Sequence, residues 1–338
     1  MTGCAAYPAF PTISMTTQSS QRKQLKLIKT LWGIDEPNFK SIKEEGYHGI
    51  EVIRLAYLFD REGLIQTLNE AQLAVVCQIH TCGGYLHDDT GEYIYCGSDS
   101  VEEHKIDFKK QLLECKGLLH EVNAGGFINV HAGVDCWSMG EAIDFLTFCL
   151  EEIERSADGI TVTLETHRQR LFGSPFQTRD ILDQLELTLS SSSSDKLLLD
   201  GLKLNADLSH WYVACERVFD PTKAPVERWW PKLLDRVAER CHYIHARFGW
   251  AQGPQMADPS AKECEGDCKL QLSTWAVLME RQKARDDGRD IYISPEYGPA
   301  PYLAAMPHTQ TPVAALPAAV SYTKCQLESL FQANEKQS

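Results

Sequence analysis

The feature that most limits the fold is an alternation. From residue 25 onward, short runs rich in β-branched and aromatic residues trade places with longer segments whose apolar residues recur at three and four. Strands separated by helices pair in parallel, each helix crossing back over the sheet. The strand-like runs fall at 25–33, 49–54, 74–82, 127–133, 160–167, 202–210, 242–248 and 291–298, and helical patterns at 101–122, 139–156, 178–189, 226–241 and 270–285 among others. Eight evenly spaced units exceed what an open doubly wound sheet needs and match a closed α/β barrel, the (β/α)8 or TIM barrel. The length of 338 residues suits one such barrel with insertions. We therefore expect a single-domain barrel over 25–335, preceded by a disordered tail over 1–24 rich in Ser, Thr, Gln and Pro. Residues 83–97 and 251–268 read as decorations that follow strand C-termini, where lids over active sites occur. The serine run 190–194 reads as a flexible surface loop.

Charge narrows the partners. Thirty-three basic residues against 47 acidic ones give a net charge of −14, which opposes a polyphosphate, so no nucleic-acid partner is expected. No apolar run approaches the roughly 18 residues needed to cross a bilayer, so no membrane partner is expected either. Most of the 12 cysteines, such as Cys77, Cys115, Cys149 and Cys215, sit inside apolar segments without a disulfide spacing. Free thiols suit a reducing, cytoplasmic setting, with organellar targeting by residues 1–24 left open. Cys264 and Cys268 lack the second pair that a zinc knuckle requires.

A barrel makes a sharp statement about chemistry, because its active site forms at the C-terminal ends of the strands. The third strand ends in Gln78-Ile79-His80 and the fourth in Asn129-Val130-His131. The fifth ends in Glu165-Thr166-His167, the sixth in Asp207-Leu208-Ser209-His210, the seventh in His245-Ala246-Arg247 and the eighth in Pro295-Glu296-Tyr297. Five of 11 histidines fall there. Windows of about four residues at eight strand ends cover about a tenth of the chain, so about one histidine is expected there by accident. Any one of them alone reads as a core histidine bonded to a carbonyl; five together point to a site.

Glu165, Asp207, His245 and Glu296 close four successive strands and can converge at the barrel mouth. Three carboxylates and an imidazole packed together repel one another, and a divalent cation is the simplest compensating charge. Oxygen-rich ligation with one nitrogen suits Mn²⁺, then Mg²⁺ or Co²⁺, ahead of Zn²⁺. The competing reading is an ion-pair network with Arg54, Arg168 and Arg247. Arg247, two residues beyond His245, shares its inward face and could either hold an anionic group of the substrate or pair with an acid. His80 and His131 are expected to face the substrate, and Trp32, Trp137, Trp211 and Trp250 lie where they could stack on a sugar.

These residues resemble those of the xylose isomerase-like barrels, a family that includes ketose 3-epimerases, hydroxypyruvate isomerase, inosose dehydratase and the endonuclease IV type of DNA-repair enzyme. The resemblance spans about residues 25–335. It rests on Glu165-Thr166-His167-Arg168, Asp207-Leu208-Ser209-His210, His245-Ala246-Arg247 with Gly253-Pro254-Gln255, and Pro295-Glu296-Tyr297-Gly298-Pro299. It implies a single divalent metal on Glu165, Asp207, His245 and Glu296, with His210 on the substrate or orienting a ligand. The implied activity is a metal-dependent sugar isomerase or epimerase acting on a small sugar or keto-polyol through a metal-stabilised enediolate, with Glu165 and Glu296 as acid and base. Many relatives are homodimers, and the same is open here. The epimerase branch has a further Glu after its strand-five Glu; Leu171 stands near that place, and His167 and Arg168 are the candidates to replace it. Rival readings are a dehydratase acting on a keto-sugar or inosose, a zinc nuclease that would use His80 and His131, and an inactive binding barrel. The nuclease branch needs Asp-x-His after strand seven, where this chain has Asp258-Pro259-Ser260.

Overall fold

The computed structural model describes residues 23–34, 36–53, 60–87, 89–223 and 225–335. Apart from Lys23 and Gln24, the tail expected over 1–24 lies outside the described residues, as does Arg54. Among the described residues ten strands follow in order: β1 (Leu25–Thr30), β2 (Gly49–Ile53), β3 (Ala74–His80), β4 (Tyr85–Leu86), β5 (Tyr93–Ile94), β6 (Gly126–His131), β7 (Val162–Glu165), β8 (Leu204–Ala206), β9 (Cys241–His245) and β10 (Ile291–Ser294). All but β4 and β5 form one closed parallel barrel, in the order β1-β10-β9-β8-β7-β6-β3-β2. The seam closes where Leu25 of β1 pairs with Ile291 of β10. These are the eight runs read from the sequence, each shorter at its C-terminal end, with β6 and β9 starting one residue earlier.

Helices α1 (Phe39–Glu44), α2 (Arg61–Ala71), α3 (Val101–Leu119), α4 (Met139–Ser156), α5 (Pro175–Thr188), α6 (Ser193–Asp200), α7 (Ser209–Ala214), α8 (Trp230–Arg240), α9 (Glu265–Ala284) and α10 (Leu316–Glu335) complete the chain. Their starts follow local chemistry. Ser138 and Glu141 form a reciprocal capping box on α4, and Ser174 caps α5 just before Pro175. Two expectations are corrected on the same grounds. The serine run is a surface turn only as far as Ser192, which accepts the N–H of Asp195 and starts α6; Ser193 and Ser194 belong to the helix, whose Leu198 and Leu199 pack on the core. The sixth strand stops at Ala206, because the Asp207 carboxylate accepts the N–H and O–H of Ser209 and turns the chain into α7, so His210 rides on a helix. No helix among the described residues is long and apolar enough to cross a membrane.

Inside the barrel, residues two apart on a strand share a face, and this spacing stacks side chains in tiers. Ile28, Val76, Phe127 and Tyr243 form a separate apolar cluster with Tyr292 against it. Fully burying such a side chain contributes about 1.5–3 kcal/mol, which offsets the polar tiers above. Two residues up the strands come Gln78, Asn129, His245 and Ser294, and two more bring His80, His131, Arg247 and Glu296, all buried. The barrel thus grades from oil to charge along its axis. Residues 83–97, expected as a decoration, contain the small β4–β5 hairpin.

Candidate metal centre at the barrel mouth

The strand ends bring Glu165, Asp207, His245 and Glu296 together. His245 Nδ1 lies 3.1 Å from Glu296 Oε2 and 3.5 Å from Glu165 Oε2. One ligand atom each from Asp207, His245 and Glu296 lie within 4.8 Å of one another, and the same holds for Glu165, Asp207 and His210. Ligands about 2.1 Å from a common ion lie at most about 4.2 Å apart, so a small closure suffices. Glu165 is held by Asn129 and Asn205, whose Nδ2–H groups donate to its Oε2 at 2.6 and 3.1 Å, and by His131 Nε2 at 3.0 Å.

Arg247 decides between the two readings given for it. Its guanidinium touches Asp207, donates to Ser209 Oγ at 3.1 Å and comes within 3.6 Å of Glu296. It is paired with acids of the site, so part of the ion-pair alternative is realised. Arg168 contacts no acid among the described residues; it lies over the Tyr302 ring at 5.2 Å. Arg247 also donates to His210 Nε2 at 2.8 Å, which fixes His210 as an acceptor at that nitrogen.

The titrating groups record the crowding. Burial pushes Asp207 up to about 7 even with Arg247 in contact, because Glu296 and Glu165 repel its charge. Burial also raises Glu165 and Glu296, but His131 and His245 outweigh it for the first, and Arg247 and His245 for the second, so both carboxyls fall below their ordinary range. Burial lowers His245, yet Glu296, Glu51 and Glu165 hold it well above the usual imidazole value. Burial and neighbouring cations push His80, His167 and His210 well below that value, so these rings are neutral.

A cation fits this arrangement on two counts. His245 Nδ1 and Glu296 Oε2 are buried, face each other and have no hydrogen-bond partner among the described residues. Buried polar atoms are normally satisfied; here a proton on Nδ1 faces the carboxylate in the metal-free chain, and loss of that proton leaves two lone-pair atoms aimed at one point, which is what a metal ion pairs. Arg247 and a protonated His245 also offset only part of the charge of Glu51, Glu165, Asp207 and Glu296.

Above this centre lies a cavity of about 680 Å³. Trp32, His80, His131, His167, Arg168, Arg247 and Glu296 line it, all named from the sequence. Glu165, Asp207, His210 and His245 lie beneath its floor, each 1% exposed or less. His210, expected at the substrate, is covered by His167, with ring centroids 3.8 Å apart. Of the other tryptophans, Trp211 is core and donates to Phe172 O, Trp137 packs on His104, and Trp250 lies outside the lining. The Trp32 wall depends on Gly298, where a Cβ would come within 2.3 Å of the indole.

Several residues of the site went unread. Glu51, Gln78, Tyr93, Tyr95 and Tyr302 also line the cavity. Tyr95 Oη bridges His131 Nδ1 at 2.9 Å and His167 Nδ1 at 2.6 Å. Arg170, fully buried, donates to the carbonyls of Thr81, Gly133 and Tyr95, tying three loops and the hairpin together. His131, Glu165 and His167 form one further group with metal-compatible spacing. Asp258 is exposed and its carboxylate is occupied by Ser260, so it stays out of the site.

No protein-family model matches the sequence, and no curated protein matches it. Solved structures do. A 3-keto-D-glucoside 4-epimerase from E. coli aligns over 90% of this chain and 100% of its own, at 15% identity and a TM-score of 0.55. A IolI protein with a bound zinc atom aligns over 90% of this chain and 97% of its own, at 13% identity and a TM-score of 0.52. An AP endonuclease of family 2 from Brucella melitensis aligns over 82% of this chain and 94% of its own, at 12% identity and a TM-score of 0.52. The closed barrel, the strand order and these likenesses agree: the fold of this chain is the (β/α)8 or TIM barrel that these solved structures share.

Proposed function

We propose that the protein is a divalent-metal-dependent sugar isomerase or epimerase, with Glu165, Asp207, His245 and Glu296 holding one ion, most suitably Mn²⁺. The observation that carries this reading is the convergence of His245 Nδ1 and Glu296 Oε2, buried, 3.1 Å apart and without a well-directed hydrogen bond, at a cavity lined by imidazoles and aromatic rings. The ion, when bound, supplies positive charge that draws electrons from a substrate carbonyl. Glu165 or Glu296 then takes the proton from the carbon beside that carbonyl, the electron pair of the broken C–H bond forms a C=C bond, and the carbonyl π pair moves onto its oxygen. The other glutamate, once it has taken a proton from solvent, delivers it to the opposite face, giving an epimer, or the first glutamate returns its own proton to the neighbouring carbon, giving an aldose–ketose isomer. Asn129 and Asn205 keep Glu165 in place during the transfer. Trp32 and Tyr302, edge to face at 4.5 Å, form an aromatic wall suited to a sugar face. The epimerase likeness supports this chemistry.

The test is a panel of ketoses, inososes and hydroxypyruvate in D2O, with chelator-stripped protein and added Mn²⁺, Mg²⁺ or Co²⁺. Deuterium entering the substrate carbon only with metal is the expected result; no exchange with any compound and metal contradicts the reading. Loss of water from an inosose in the same panel would assign the enzyme to the dehydratases. A zinc nuclease draws support from the group formed by His131, Glu165 and His167, and from the AP endonuclease likeness. The exposed, self-satisfied Asp258 and the −14 charge weigh against it.

A further inference from the structure

Glu51 belongs to no motif, yet its carboxylate sits in the barrel interior, 3% exposed. Oε2 accepts the Nε2–H of His245 at 2.8 Å and the hydroxyl of Tyr243 at 2.9 Å. Oε1 accepts the Nδ2–H of Asn129 at 3.1 Å, with Gln78 Nε2 at 3.5 Å. Donors from β3, β6 and β9 therefore converge on one side chain from β2. A neutral amide could tie the same strands together at a lower desolvation cost. What the carboxylate adds over an amide is a second accepting oxygen in place of a donor, and every contact here is with a donor group. The imidazole must present N–H at Nε2, which leaves Nδ1 as the atom turned toward Glu296 and Glu165.

We propose that Glu51 is a positioning residue for His245: it fixes the ring's orientation and tautomer so that Nδ1 is the ligand atom, and its charge strengthens that nitrogen as a donor. This rests on the metal reading above. Glutamine at this place fills the same volume but offers both an acceptor and a donor, so it no longer forces one ring state on His245.

Titration calorimetry of chelator-stripped wild type and Glu51→Gln with Mn²⁺ tests it. The variant should bind about 10–100-fold more weakly. Its metal-free unfolding midpoint should stay close to that of wild type, because glutamine fills the same volume and its oxygen still accepts from His245 and Tyr243. A residue that only braces the strands would give the reverse, lower stability and unchanged affinity. A second measurement needs no variant: ¹⁵N spectra of the zinc-loaded wild type should show His245 protonated at Nε2 and metal-bound at Nδ1. Zinc on Nε2, or a folded Glu51→Gln that binds Mn²⁺ as tightly as wild type, overturns the proposal. Wild type that binds no divalent ion overturns it together with the metal reading; wild type that binds equally with the variant overturns this proposal alone.

Discussion

Replacing Glu165 by glutamine should lower turnover by about 10³-fold or more, since a positioned acid–base group contributes about 10²–10⁴ and this one is also placed as a ligand. Glutamine keeps the shape and can still accept from Asn129 and Asn205, so the fold should persist. Glu296→Gln should behave alike, with a circular dichroism spectrum unchanged from wild type. Steady-state kinetics on whichever substrate shows exchange provides the measurement. Turnover within a few-fold of wild type in either variant would remove that glutamate from the reaction.

The second large effect is acid sensitivity of the metal-free protein. His80, His167 and His210 are buried and neutral, with folded pKa values well below the unfolded one of about 6.5. Burial, with Arg285, Arg289 and Lys203 nearby, also lowers His242 to about 3, so below pH 6.5 the unfolded chain takes up four protons that the folded chain refuses and stability is lost as the pH falls. Each histidine costs about 1.4 kcal/mol per pH unit. Asp207 works in the opposite direction. Raised to about 7, it is protonated in the folded chain while the unfolded carboxyl stays ionised, offsetting about 1.4 kcal/mol per unit. His245, raised when folded, is protonated in both states in this window, and the lowered Glu165 and Glu296 matter only nearer pH 4. Four histidines against one aspartate leave about 4 kcal/mol lost between pH 6 and pH 5. Urea unfolding at the two values, with chelator present, reads it directly; equal stabilities would mean that the imidazoles are not buried neutral.

Much of this site was open to reading because a barrel restricts where chemistry can sit. Histidines and acids at strand ends stood out from a chance expectation, and Glu165, Asp207, His245 and Glu296 meet in space as their strand positions imply. Glu51 escaped because it lies within its strand, two residues before the end, in Gly-Ile-Glu-Val-Ile. The signal was there: a carboxylate inside an apolar five-residue strand has no solvent to face and must have a buried partner. His210 was placed at a strand end because the sixth run looks continuous; the turn made by Asp207 and Ser209 depends on a side-chain bond that periodicity does not register. Tyr95 and Tyr302 reach the cavity from loops, where no period orders the residues. Arg247 was read correctly as facing inward, but only the distances to Asp207 and Glu296 show which of its two partners it has.

The most direct test is an anomalous-difference map from a crystal soaked in Mn²⁺. One peak per chain, within bonding distance of Glu165, Asp207, His245 Nδ1 and Glu296, is the expected result. No peak there, or strong peaks on His131 and His167 instead, would contradict a single shared ion at the barrel mouth.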